Sequence, residues 1–293
     1  MSGCQLCPRR CGADREAGKM GYCGVGAKVR IARAALHLWE EPIISGTRGS
    51  GTIFFSGCNL RCVFCQNREV SHNGKGRELD VRELGEKMLS LQQQGAHNIN
   101  LVTPSHYANE IIAALRRVRS KLYIPVVYNC GGYESVETID ALEGLVDIYM
   151  PDIKYFSPAL SRDYSGAEDY FEVARAALLR MYAQVGRPEM TESGMMSRGV
   201  LVRHLVLPGC RKDSIAILGE LAEMFAPGDI LLSLMSQYTP EFVPDDCPYD
   251  NLKRRITSLE YESVVNEMQR LGFEGFVQSR TSATSAYTPK FEG

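Results

Sequence analysis

The sequence predicts an α/β fold built on a parallel sheet. Beyond residue 50, short apolar runs of β character alternate with stretches of helical spacing. Six such βα units in series imply parallel strands joined by right-handed crossovers. The first 26 residues differ, holding four cysteines among six glycines, and predict a small separate unit ahead of the sheet.

In that unit, Cys4, Cys7, Cys11 and Cys23 are interleaved with Gly12, Gly18, Gly21, Gly24 and Gly26. Glycine lets backbone wrap closely around a metal. Four thiolates can close a tetrahedral zinc site or fully ligate an iron–sulfur cluster. The Cys-x2-Cys-x3-Cys start is closer to half of a ferredoxin motif than to paired zinc knuckles, but spacing leaves the metal open. The expected division is a cysteine-rich extension over 1–45 and a main domain over 46–293.

Thr52–Ser56 reads as the first strand and Leu79–Gln94 as a helix with Leu84, Met88 and Leu91 on one face. Asn98–Val102 is the second strand, followed by a helix over Tyr107–Arg119. Ile124–Tyr128 is the third strand and Val136–Leu142 its helix. Val146–Met150 is the fourth, followed by a short helix near Pro158–Asp163 and a long one through Glu168–Val185. The turn-rich stretch Pro188–Arg198 reads as a flexible loop. Gly199–Val206, stopped by Pro208 and Gly209, is the fifth strand, and Asp213 is placed to cap a helix running to about Phe225. Ile230–Met235 is the sixth strand, Glu260–Leu271 the last helix, and Gly275–Gln278 a short final strand.

Composition narrows the function classes. The 293 residues are 44% hydrophobic and 23% charged, ordinary for a globular protein. A net charge of −2 makes no electrostatic case for nucleic acid or an acidic membrane surface. No apolar run has the length of a membrane span, and the first residues hold no hydrophobic signal region, so a cytoplasmic location is expected. Ten cysteines in that setting favour metal ligation over disulfides.

The most informative segment follows the first strand, Phe54-Phe55-Ser56-Gly57-Cys58-Asn59-Leu60-Arg61-Cys62-Val63-Phe64-Cys65. Its three cysteines are spaced to aim three thiolates from one compact loop at one inorganic cluster. No fourth ligand is near, whereas structural zinc wants four. A [4Fe-4S] cluster held by three thiolates leaves one iron open.

This loop resembles that of the radical S-adenosylmethionine (SAM) superfamily. The resemblance implies a partial (β/α)6 barrel, a [4Fe-4S] cluster on Cys58, Cys62 and Cys65, and SAM on the open iron. An electron from a donor such as flavodoxin or ferredoxin then releases a 5′-deoxyadenosyl radical. Phe64 stands where the family carries an aromatic before its last cysteine.

In α/β sheets and barrels, chemistry gathers at the carboxyl ends of strands. After the second strand, Thr103-Pro104-Ser105-His106 replaces the family's Gly-Gly-Glu-type sequence, leaving Thr103 and Ser105 as uncharged acceptors for the SAM amine. Asn129, followed by Gly131 and Gly132, ends the third strand where relatives carry Asp or Asn near SAM. Asp147, Asp152 and Lys154 resemble the Asp-x4-Asp-x-Lys signature of activating enzymes for glycyl radical enzymes. Strand alternation puts Asp152 and Lys154 on one face, able to meet a zwitterion. His204, on the fifth strand, matches a basic residue beside the SAM nucleoside. Gln237 and Tyr238 are candidates for a substrate pocket, and His106 is either a substrate-side group or a helix-start residue. The branch resembled is that of pyruvate formate-lyase activating enzyme, which implies a glycine of a partner enzyme as target. A small metabolite or a peptide is the alternative, and a non-enzymatic iron–sulfur carrier a further one. Cys130, Cys210 and Cys247 read as buried thiols, with Cys130 near enough to the strand ends to face the pocket.

Overall fold

The computed structural model describes residues 3–278. In chain order the elements are β1 (Val29–His37), α1 (Pro42–Ser45), β2 (Ser50–Phe55), α2 (Arg68–Ser71), β3 (Arg77–Leu79), α3 (Val81–Gln93), β4 (Ile99–Val102), α4 (Ala108–Val118), β5 (Val126–Cys130) and α5 (Val136–Ala141). Then follow β6 (Ile148–Pro151), α6 (Pro158–Ser165), α7 (Tyr170–Val185), β7 (Glu189–Met190), β8 (Met196–Leu205), α8 (Arg211–Met224), β9 (Leu231–Met235), α9 (Ser258–Arg270) and β10 (Gly275–Val277).

The sheet order is β10-β9-β8-β6-β5-β4-β2-β1-β3. Every neighbouring pair from β2 to β10 is parallel, so the expected serial βα architecture is present. The sheet does not close; β10 and β3 are its ends. Residues on or just past all seven parallel strands, from Phe54 on β2 to Phe276 on β10, nevertheless line a single cavity, so the sheet curls around it.

Alternation along the strands separates two environments. Val126, Tyr128, Tyr149, Val200, Val202, Leu232 and Leu234 point outward and pack with Leu84, Met88, Leu115, Leu178 and Ile217 of the helices. Val127, Ile148, Met150, Leu201 and Leu231 point inward and close the floor of the sheet around Ile44 of α1. Ile44 is fully buried, and that burial contributes roughly 1.5–3 kcal/mol. Helix starts follow their sequence signals: Asp80 with Glu83 and Thr257 with Glu260 form reciprocal caps for α3 and α9.

Three expectations need correction. The segment Val29–His37, inside the stretch read as extension, is a strand paired antiparallel to both β2 and β3. The supposed loop Pro188–Arg198 is a hairpin in which β7 pairs with β8 around Gly194, whose φ of 75° suits glycine. Asp213 does not cap its own helix; its carboxylate accepts from the Phe156 and Ser157 backbone N–H groups at the start of α6. Cys210 sits at the cap position instead. None of the ten cysteines is disulfide-bonded. Among the described residues, no helix is long and apolar enough to cross a membrane.

Candidate active site

The cysteine loop leaves β2 through Gly57, at φ 86°, where a side chain would collide with Val25 and the Cys23 carbonyl of the amino-terminal unit. Cys58, Cys62 and Cys65 all line a cavity of about 590 Å³. Each sulfur has a polar neighbour. The Leu60 N–H donates to Cys58 Sγ at 3.4 Å, Ser165 Oγ–H to Cys62 Sγ at 2.9 Å, and Ser71 Oγ lies 3.3 Å from Cys65 Sγ. Phe64 is buried edge-on between Tyr164 and Tyr238. Burial, reinforced by the neighbouring Cys62 sulfur, pushes the Cys58 thiol up to about 12 and raises that of Cys65. Ligation therefore has to displace protons.

An ionic group lines the same cavity. Asp152, just past β6, accepts from Lys154 Nζ at 2.6 Å through one oxygen and from Arg203 Nε at 2.9 Å through the other. Arg203, on β8, also donates to Asn129 Oδ1 at 2.7 Å and reaches Glu40 at 3.4 Å. Glu41 accepts from Ser233 at 2.7 Å. Burial by itself would raise the Asp152 carboxyl, but Arg203 and Lys154 outweigh it and hold the group below its ordinary range. Burial likewise opposes the charge on Lys154, and Asp152 overrides it. Glu40 and Glu41 are raised because burial dominates over their partners. A buried chain of this kind contributes little net stability; it prearranges charge.

Of the residues expected to hold SAM, Phe64, Thr103, Asn129, Asp152 and Lys154 line this cavity. Thr103 takes the left-handed conformation, φ 58°, uncommon for a β-branched residue. Ser105 is not on the cavity wall; it is buried and donates to Glu134, a carboxyl that burial raises to about 7. His204 also points away, to the helix side, with Nδ1 2.6 Å from the Ile153 carbonyl and Nε2 2.8 Å from Ser214 Oγ. Arg203, its neighbour, faces the cavity instead, because successive strand residues face opposite sides. His106 is packed against the Ser56 carbonyl at 2.7 Å. Asp147 binds Arg119 and the Val126 N–H at the far end of the strands. Gln237 and Tyr238 line the cavity, as does Cys130, which is only 2% exposed. Gly132 approaches the Asp152 carbonyl, leaving no room for a Cβ.

Sequence reasoning missed Arg203, Glu40, Glu41, His37 and Trp39, all on the cavity wall. Leu201, Arg203 and Leu205 share a parity opposite to Val200 and Val202 of the outer core, but both sets hold apolar residues, so parity alone does not tell which faces the cavity. The others arrive on the chain leaving β1, which had no strand signal strong enough to place it.

Burial lowers the pKa of His204 to about 4 from an ordinary 6.5. The unfolded chain takes up a proton near 6.5 that the folded protein refuses until about 4. Stability from neutral His204 is therefore present above pH 6.5 and lost as pH falls through that window, by about 3 kcal/mol in all. Urea unfolding between pH 7 and 5 should show a shallower loss in His204→Asn than in the parent; equal slopes would refute the assignment.

In the amino-terminal unit, the Cys11 and Cys23 sulfurs lie either side of Gly21, 2.8 and 3.7 Å from where its Cβ would be. Burial pushes the Cys7 thiol up to about 12 and raises that of Cys23. Among the described residues, no three His, Cys, Asp or Glu side chains converge on a single-ion site. The unit packs directly on the active loop: Cys58 N–H donates to the Cys23 carbonyl at 3.3 Å.

An open parallel α/β sheet with a three-cysteine loop after its first parallel strand is the arrangement of the radical SAM class. The radical SAM superfamily model matches residues 52–199, half of the chain, and this chain belongs to that superfamily. An uncharacterised protein of Methanocaldococcus jannaschii is 26% identical over 284 residues, covering 92% of this chain and 75% of its own. Streptococcus suis SuiB, solved bound to precursor peptide SuiA, superposes at TM-score 0.50 with 12% identity over 76% of this chain and 46% of SuiB. A domain of pyruvate-formate lyase-activating enzyme from Bacteroides vulgatus gives TM-score 0.43 at 11% identity over 59% of this chain and 92% of that domain. The residues present fit the group this family implies: three sulfurs with hydrogen-bond partners and a set of paired charges line one cavity.

Proposed function

We propose that this protein generates a 5′-deoxyadenosyl radical from SAM and uses it to remove hydrogen from a peptide-borne target, such as a glycine of a partner enzyme. The observation that carries the reading is the single cavity joining Cys58, Cys62 and Cys65 to the Asp152–Lys154 pair. When bound, a [4Fe-4S] cluster supplies an open iron and one electron for splitting the SAM sulfonium. Cys58, Cys62 and Cys65 hold that cluster. Asp152 takes the amine and Lys154 the carboxylate of the methionyl group, with Arg203 and Asn129 keeping Asp152 oriented. Thr103 offers its carbonyl and hydroxyl, and Phe64 keeps water from the sulfur side.

The peptide target is supported by the Asp-x4-Asp-x-Lys spacing at Asp147, Asp152 and Lys154. SuiB, which shares the fold, takes a precursor peptide. An electron donor of the flavodoxin or ferredoxin class would serve the cluster, and Cys4, Cys7, Cys11 and Cys23 would hold a second cluster or zinc.

Anaerobic reconstitution with iron and sulfide, followed by SAM and dithionite, should release 5′-deoxyadenosine. A fully loaded, reduced protein that releases none would sink the reading. A glycyl radical signal in a candidate partner enzyme then separates peptide activation from action on a small metabolite.

A further inference from the structure

Arg9, in the amino-terminal cysteine unit, grips the machinery around Cys62. Its Nε donates to the Asn59 carbonyl at 2.8 Å, inside the active loop between Cys58 and Cys62. Its Nη2 donates to the Ser165 carbonyl at 2.8 Å, and Nη1 to that of Gly166, at the end of α6. The guanidinium lies 4.0 Å above the Tyr22 ring, which restrains it within its own unit. Ser165 is the residue whose hydroxyl donates to Cys62 Sγ, and Tyr155 OH, 2.7 Å from that hydroxyl, completes the chain. Two further bonds tie the same units: Cys58 N–H to the Cys23 carbonyl, and Tyr22 OH to the Leu60 carbonyl at 3.4 Å.

An Arg fork that binds three carbonyls from two segments fixes their relative position in a way a lysine cannot. Here the two segments are the loop that carries Cys62 and the helix end that hydrogen-bonds its sulfur. Hydrogen bonds to cluster sulfurs are among the determinants of cluster potential. A donor at the sulfur favours the more negative, reduced cluster, so it raises the potential.

We infer that Arg9 is a positioning residue through which the amino-terminal cysteine unit holds the Ser165–Cys62 hydrogen bond and thereby sets the reduction potential of the cluster on Cys58, Cys62 and Cys65. This rests on the proposed reading that those cysteines hold a [4Fe-4S] cluster. It gives the amino-terminal unit a role in tuning the radical-generating site, whichever metal that unit binds.

The test is a dithionite redox titration of the full chain after anaerobic reconstitution, following by electron paramagnetic resonance the signal that changes when SAM is added. Ser165→Ala should lower the reduced-to-oxidised ratio at a given donor potential about tenfold, ~59 mV for one electron. Arg9→Ala should shift it in the same direction, and the R9A/S165A double variant should shift no further than S165A. Arg9→Lys should fall between parent and R9A; if R9A does not fold or load, R9K against S165A is read the same way. A parental potential in R9A, or in R9K where that stands in, overturns the inference. So does a shift that adds to that of S165A. A parent chain that binds no SAM-responsive cluster instead overturns the functional reading beneath it, a separate and recognisable result.

Discussion

Cys62→Ala is expected to abolish 5′-deoxyadenosine release and to remove about four irons per chain. Cys62 is the central cysteine of the loop, buried, and hydrogen-bonded by Ser165. Two thiolates cannot hold the cluster, and without it there is no electron path to SAM, so the loss should be on the order of 10⁶-fold or more. The cost to the fold is smaller, about 1 kcal/mol from the lost Ser165–Cys62 hydrogen bond. A circular dichroism spectrum like that of the parent, alongside lost iron, would separate the two effects. In a variant lacking Cys58, Cys62 and Cys65 together, whatever metal remains belongs to Cys4, Cys7, Cys11 and Cys23. Iron with cluster absorption there would mean a second cluster, and zinc would mean a structural site. Activity surviving in Cys62→Ala would contradict the cluster assignment.

Asp152→Ala should weaken SAM binding at least tenfold and destabilise the protein by about 3–5 kcal/mol. Both oxygens of this carboxylate are engaged, one by Lys154 and the other by Arg203, in side chains no more than a fifth exposed. Removing it leaves two cations facing one another, offset by Glu40, 3.4 Å from Arg203, and by Glu41. The double variant D152A/K154M leaves Arg203 and Glu40 as a balanced pair. It is expected to regain at least half of the lost stability, measured by urea unfolding, while still failing to bind SAM. If stability and SAM binding recover together, the pair is only structural. The pH dependence follows from the sign of the shift. Asp152 is held below its ordinary range, so its contribution is full above the unfolded value, about 3.9, and disappears as pH falls through the lower folded one. Asp152→Asn should flatten the acid limb below about pH 4 and leave neutral pH slopes unchanged.

Much of this was legible in the chain. The serial strands were, because each is an apolar run bounded by turn residues, and parallel strands buried on both faces must be apolar throughout. The Cys58, Cys62, Cys65 loop was, because its ligands are local in sequence. Asp152 and Lys154 were placed on one face by alternation, and both line the cavity. Parity failed at the fifth strand, where His204 drew attention as a titratable residue while Arg203 held the inward position. Ser105 went the other way, recruited by the buried Glu134 rather than by the cavity. Neither error could be detected without knowing which side the helices cover.

The sequence by itself determined the parallel strands, most of the helices that join them, and the three-cysteine pattern of the loop after the first of them, since these depend on spacing within a few residues. The tertiary structure decided what shares the cavity with that loop. β1 joins the sheet edge next to β2, and the chain leaving it carries Glu40 and Glu41 to the inner wall, where they meet Arg203 and Ser233 from strands about 160 residues away or more. It also decided that the amino-terminal cysteines are not remote, but joined to the active loop through Cys23 and Arg9. The physical reason is the same in both cases. A buried charge or carbonyl must find a partner, and which partner is within reach is settled only when the sheet curls and brings distant segments to one cavity.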